Sequence, residues 1–255
     1  MNLEQIGLFF SGGVFAGIIA GLLGVGGGII IVPMLVFFGK LPVNAVATSS
    51  LAIVITSISG SFQNWKEGNL EIRKVISLGI PAVITAQVGV FIASHSSPVI
   101  LLSLFAALLF FNIYLVSLRR KLMKQESISV NENRIFINTI LTGGAAGILS
   151  GLFGVGGGVI MVPLQMLLLG EKIKTAIQTS LGVIILTAIS ASVGHAVAGN
   201  ILLGEGLLIG FGGLIGAQIG TRFLPKLSEK TVTIGFLSFI FLVALSLIWQ
   251  AKKYF

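Results

Sequence analysis

Gly21 to Pro33 reads GLLGVGGGIIIVP, and Gly151 to Pro163 reads GLFGVGGGVIMVP. Ten of these thirteen positions are identical, and the other three exchange one apolar residue for another. Each copy sets four glycines within five residues: Gly24, Gly26, Gly27 and Gly28, then Gly154, Gly156, Gly157 and Gly158. Such a stretch cannot be a stable helix interior, because each glycine costs about 1 kcal/mol there relative to alanine. A glycine break inside an apolar segment marks a discontinuous membrane helix. The half-helix that follows begins with unpaired N–H groups and the positive end of a dipole, which suits an anion. The same glycines would also let helices pack closely, and the sequence leaves both roles open.

The surrounding composition is that of a membrane protein. Of 255 residues, 55% are hydrophobic and only 9% are charged, against roughly 25% charged in soluble domains. The mean hydropathy is +1.06. Runs free of charge cover 5–39, 41–65, 75–118, 135–170, 175–204 and 231–251, and most could supply the ~20 apolar residues of a spanning helix. The first run has no basic leader and recurs later in the chain, so it does not read as a cleavable signal. There is no cysteine and no aspartate, which excludes disulfides and thiol chemistry. Two histidines without acidic neighbours do not make a metal site, and no other cofactor is implied. The net charge of +8 sits in loops, where it reports orientation rather than nucleic-acid binding.

The two halves repeat one order of segments. Segments at 5–23, a short one at 29–38, then 43–64, 75–94 and 99–118 are followed by 135–153, a short one at 159–169, then 175–197, 206–224 and 231–250. The offset is 130 residues up to the proline and 131 beyond it, so Gly39 matches Gly170 and Thr48-Ser49 matches Thr179-Ser180. The expected organisation is a first transmembrane repeat over 1–118, a cytoplasmic linker over 119–134 and a second repeat over 135–255. Lys66, Arg73 and Lys74 lie between the third and fourth segments of the first half, and that loop has no Lys or Arg in the second half. The next loop reverses this: it is bare in the first half but carries Arg222, Lys226 and Lys230 around its counterpart. Under the positive-inside rule, corresponding loops then lie on opposite sides. The expected fold is therefore an all-α polytopic membrane protein of two inverted-topology repeats. Each repeat has a short, broken or re-entrant helix pair at its glycine loop plus three spanning helices.

With both loops in view, the chain resembles the TauE/SafE family of sulfite exporters. The resemblance rests on GVGGGxxxVP in each half, each copy followed by a Thr-Ser pair near the start of a helix, and it covers roughly 6–250. It maps the family's glycine motif onto Gly24, Gly26, Gly27, Gly28 and Pro33, and onto Gly154, Gly156, Gly157, Gly158 and Pro163. It implies transport of a small sulfur-containing anion such as sulfite, thiosulfate or an organosulfonate, in a multi-pass cell-membrane protein.

Other polar positions recur in both halves: Thr48/Thr179, Ser49/Ser180, Thr56/Thr187, Ser59/Ser190, Ser61/Ser192 and Gln87/Gln218. Hydroxyls and amides could line an anion path. Serine and threonine can also simply bond their own backbone, whereas a primary amide is costly to bury without partners. The candidate substrate-binding set is the two glycine loops with Thr48, Ser49, Thr179, Ser180, Thr56, Thr187, Gln87 and Gln218. His195 is the candidate proton carrier. No nucleophile, acid pair or metal cluster supports an enzyme, and no Walker motif supports direct use of ATP. The expected function is a secondary transporter working by alternating access, the alternative being an anion channel of similar selectivity.

Overall fold

A computed structural model describes the backbone of residues 3–122 and 132–251 and the side chains of 3–116 and 135–251. Ten α-helices follow in order: α1 Leu3–Leu23, α2 Gly28–Phe37, α3 Pro42–Lys66, α4 Ile72–His95, α5 Pro98–Leu122, α6 Glu132–Phe153, α7 Gly158–Leu168, α8 Ile173–Val197, α9 Leu203–Phe223 and α10 Glu229–Ala251. A 3-10 turn, Leu224–Lys226, follows α9. Among the described residues, eight helices are long and apolar enough to cross a bilayer, and α2 and α7 are shorter apolar helices. Their outer surface keeps large apolar side chains exposed, among them Ile84, Phe91, Phe111, Leu242 and Trp249, as a protein solvated by lipid requires. The protein is a multi-pass membrane protein.

Only the second helix at each glycine loop is short. α1 and α6 have 21 and 22 residues, whereas α2 and α7 have 10 and 11. Each short helix folds back along the long one before it. Phe38, just past α2, sets its ring edge-on to Phe9 of α1 at 5.4 Å. Asn138 of α6 donates to the Leu168 carbonyl at the end of α7, at 2.9 Å. Helical backbone also enters the expected 119–134 linker from both sides, and 123–131 lie outside the described residues.

The halves are interlocked. α1 packs on α9, and its counterpart α6 packs on α4; α3 packs on α9, and its counterpart α8 on α4. Stripes of small residues make the first two contacts. Gly13, Gly17 and Gly21 of α1 face Ile209, Gly213 and Ala217 of α9, while Gly143, Gly147 and Gly151 of α6 face Leu78, Ala82 and Ala86 of α4. A Cβ at any of these glycines would collide with the facing backbone. In lipid, where apolar burial gives helices little reason to associate, such close approach supplies the packing. Both stripes advance four residues at a time in the same sense, so α1 runs parallel to α9, and α6 to α4. By the same reading α3 runs parallel to α9, since Thr48 meets Leu202 and Ser59 meets Leu214. α8 runs parallel to α4, with Gly182 beside Val75 and Ser190 bonded to Val83. α3 and α8 cross in opposite senses. Ile53 and Ile184 both flank Gly26, and Gly60 approaches Leu181.

Candidate functional site

The two glycine loops meet at the crossing of α3 and α8. Gly28 abuts Gly154 and Val155, and Gly158 abuts Gly24 and Val25. Ile53 and Ile184, between which Gly26 sits, are each the twelfth residue of a 25-residue helix. The loops turn on backbone that only glycine adopts readily. Gly24, Gly26 and Gly27 have φ of 67°, 72° and 83°, and Gly154, Gly156 and Gly157 have 62°, 72° and 80°.

Each loop is held by the other half. Ser49 donates to the Gly154 carbonyl at 2.7 Å, and its counterpart Ser180 donates to the Gly24 carbonyl at 2.8 Å. The second loop is also held from its own half, where Thr187 donates to the Gly156 carbonyl at 2.8 Å, whereas its counterpart Thr56 bonds Ala52 on its own helix at 3.0 Å. The centre is thus not fully symmetric. Ser49→Ala and Ser180→Ala are each expected to lower stability by about 1 kcal/mol, the usual net worth of one such bond. Denaturant unfolding in detergent measures this, and a double variant as stable as the parent would remove the latching role.

The loops concentrate backbone donors. Apart from the hydrogen-bonded turns over Gly26–Gly27 and Gly156–Gly157, the N–H groups of Val25 to Ile29 and of Val155 to Ile160 make no close backbone hydrogen bond outside the helices among the described residues, and every one of these residues is buried. Gly28 opens α2 and Gly158 opens α7. Two helix N-termini, each worth about +0.5 of an elementary charge, therefore start within the same small region.

Thr48 and Thr179 are buried, at 0% and 1% exposure. Thr48 accepts the Leu202 N–H at 3.0 Å, tying α3 to the start of α9. The glutamines hydrogen-bond elsewhere than to the loops. Gln87 donates to the carbonyl and hydroxyl of Ser190 at 2.7 and 2.8 Å, and Gln218 does the same to Ser59 at 3.0 and 3.1 Å. They clamp α4 to α8 and α9 to α3. His195 is buried, with Nε2 on the Gly151 carbonyl at 2.9 Å at the base of the second loop.

Two ion pairs stand at opposite ends of the bundle. Lys40, in the α2–α3 turn, meets Glu205 of α9 at 2.7 Å, and Lys74 of α4 meets Glu171, in the α7–α8 turn, at 2.6 Å. Lys40 and Glu171 are equivalent by the 131-residue offset, and so are Lys74 and Glu205. The pairs are the same contact with its charges exchanged. Loop charge alone does not reveal this exchange, whereas the 131-residue offset applied to Lys40, Lys74, Glu171 and Glu205 does.

Two buried glycine loops that abut where α3 and α8 cross, in a chain with eight described helices long and apolar enough to span a bilayer, define a multi-pass membrane protein. Comparison with known proteins supplies the family. The profile described as "Sulfite exporter TauE/SafE" matches residues 9–247, and the chain belongs to this family of membrane transporters. It is similar to "Probable membrane transporter protein YdhB" of Bacillus subtilis, 29% identical over 84% of this chain and 90% of that one. It is 30% identical to "Probable membrane transporter protein MJ0441" of Methanocaldococcus jannaschii, over 87% of each. YunE of Bacillus subtilis, with the same description, is 28% identical over 93% of this chain and 95% of that one. No solved structure matches at a significant level.

Proposed function

We propose that this protein is a secondary transporter of a small sulfur-containing anion, sulfite, thiosulfate or an organosulfonate, held between two inverted repeats that alternate its exposure. The buried N–H groups between Val25 and Ile29 and between Val155 and Ile160 that make no close hydrogen bond carry this reading. A buried N–H left without a partner costs about 1–3 kcal/mol, so a set of them converging from two loops favours an anionic ligand as the shared acceptor. No buried basic residue need take part, which leaves the anion free to depart. The sulfur class rests on the family description. Close contact between the loops favours a carrier over an open channel.

The antiparallel crossing of α3 with its own counterpart α8 supports inversion, as does the charge-exchanged pair of salt bridges. Cysteine labelling tests it directly, since the chain has no native cysteine. Single cysteines at Glu67 and Glu229 are expected to be protected in intact cells, and those at Ser96 and Asn200 to react. Reactivity at 67 and 200 from one side would mean parallel repeats. For transport itself, proteoliposomes loaded with sulfite or thiosulfate are expected to show counterflow of labelled anion. Flux without trans-acceleration would favour the channel.

A further inference from the structure

Outside the glycine loops, unsatisfied polar side chains recur at equivalent places in both halves. Asn64 and His195, 131 residues apart, are each 0% exposed. Both side-chain atoms of Asn64 and Nδ1 of His195 have no partner among the described residues. One turn earlier, Ser61 and Ser192, at 3% and 8% exposure, also carry unpartnered hydroxyls. Ser150, beside Gly151, adds a third such hydroxyl or ring atom near the second loop. Buried polar side chains in native proteins are overwhelmingly hydrogen-bonded, so a repeated exception asks for a ligand.

Their placement points to one route. Asn64 follows Ile53 by eleven residues, and His195 follows Ile184 by eleven. Eleven residues are about three helical turns, which returns to the face each isoleucine turns toward the loops. Gly60, one turn before Asn64, faces Thr221 and Ala217 of α9, the residues that also face Gly21 at the base of the first loop. His195 stands at the base of the second loop through Gly151. Because α3 and α8 run in opposite senses, the two niches lie on opposite sides of the loop crossing. His195 lies toward the end closed by Lys40 and Glu205, where Asn44 bonds the Asn200 carbonyl at 2.8 Å. Asn64 lies toward the end closed by Lys74 and Glu171.

We propose that Ser192–His195 and Ser61–Asn64 are two oxyanion subsites on either side of the central crossing, and that only the His195 subsite takes up a proton with its anion. This rests on the reading of the chain as a binder of small oxyanions. The Gly151 carbonyl accepts from Nε2, so in the neutral ring Nδ1 presents a lone pair. A lone pair repels an anion. A proton taken from water onto Nδ1 turns it into a charged donor, which holds an oxyanion together with the Ser192 hydroxyl. Asn64 has an amide donor in the equivalent place and needs no proton. The charged or titratable side chains at the His195 end, among the described residues, are Glu4, Lys40, His95 and Glu205. Lys40 and Glu205 pair with each other, and His95 is exposed with Nδ1 on the Phe91 carbonyl at 2.8 Å. The described side chains of α4, α6 and α8 place no other charge within three turns of His195.

The test is binding of thiosulfate, and of sulfate, to the purified full chain in detergent at about pH 5.5 and about pH 8. Both anions stay fully ionised over this range, whereas a histidine titrates within it. The parent is expected to bind at least about fivefold more tightly at the lower pH. His195→Asn is expected to bind at both pH values with that dependence gone, and His95→Gln to keep it. Asn64→His is expected to steepen the dependence, and it carries the test should His195→Asn fail to fold. A parent without pH dependence, or a His195→Asn protein that keeps it, overturns the proposal and leaves the central site standing. No binding of either anion at any pH overturns both.

Discussion

Gly27→Ala is expected to weaken anion binding by at least tenfold, about 1.4 kcal/mol, while Gly39→Ala leaves it unchanged. The two substitutions share a backbone penalty. Gly27 has φ 83° and Gly39 has φ 80°, and a Cβ in that region costs about 1–2 kcal/mol. They differ in where the methyl goes. At Gly39 it enters open space, and at Gly27 its nearest neighbour is the Ala16 carbonyl oxygen at 3.2 Å, a separation that a small shift relieves. Both variants are therefore expected to fold with a similar, modest fall in ligand-free melting temperature. Only at Gly27 do the backbone strain and the shift away from Ala16 fall on the loop that carries the buried N–H groups. Gly28→Ala is harsher, because its methyl would strike the Gly154 carbonyl and push the loops apart. It is expected to lose binding altogether and to melt much lower. Calorimetric binding of sulfite and thiosulfate, beside ligand-free melting, separates the cases. If Gly27→Ala binds as well as Gly39→Ala, the loops serve packing alone and the anion lies elsewhere.

Most of the helix inventory was legible in the sequence, because uncharged runs bounded by Gly, Pro and charge translate directly into membrane helices. The expected segment at 43–64 became Pro42–Lys66 and that at 75–94 became Ile72–His95. The ends grew outward because interfacial polar residues such as Arg73 and Lys66 continue the helix beyond the apolar run. The doubled glycine motif located both loops, since positive φ at successive residues leaves few alternatives to glycine. What each polar side chain touches was less legible. Gln87 and Gln218 read as candidate site amides, yet Gln87 is exposed and Gln218 half-buried, and Ser190 and Ser59 take their hydrogen bonds. Helical periodicity fixes which face a residue occupies but not which helix arrives there, and here the partner comes from the other half of the chain. For the same reason Ser49 and Ser180 read as candidate binding residues, and their bonds to the opposite loops needed the assembled fold.

Breaking the two end pairs is expected to push the protein in opposite directions. Lys40–Glu205 ties the first hairpin to α9 at one end, and Lys74–Glu171 ties the second hairpin to α4 at the other. All four side chains are partly exposed, so each pair contributes little to global stability, on the order of 0–1 kcal/mol. A transporter poised between two conformations of similar energy needs no more than that. A bias of about 1 kcal/mol changes their ratio roughly fivefold. Glu205→Lys goes further, because it faces Lys40 with a like charge. It is expected to hold the Lys40 end open and cut transport by at least about tenfold, and the exchange Lys40→Glu/Glu205→Lys is expected to restore it. Glu171→Lys, rescued by Lys74→Glu, is expected to do the same at the opposite end. The readout is labelling of a single cysteine at Ser61 or Ser192 by an impermeant reagent added to one side of oriented proteoliposomes. Lysine at 205 is expected to raise labelling from the Lys40 side and lower it from the other, and lysine at 171 to reverse that pattern. If both substitutions shift labelling toward the same side, the pairs are not opposing closures, and an alternating cycle built on exchange between the halves fails with them.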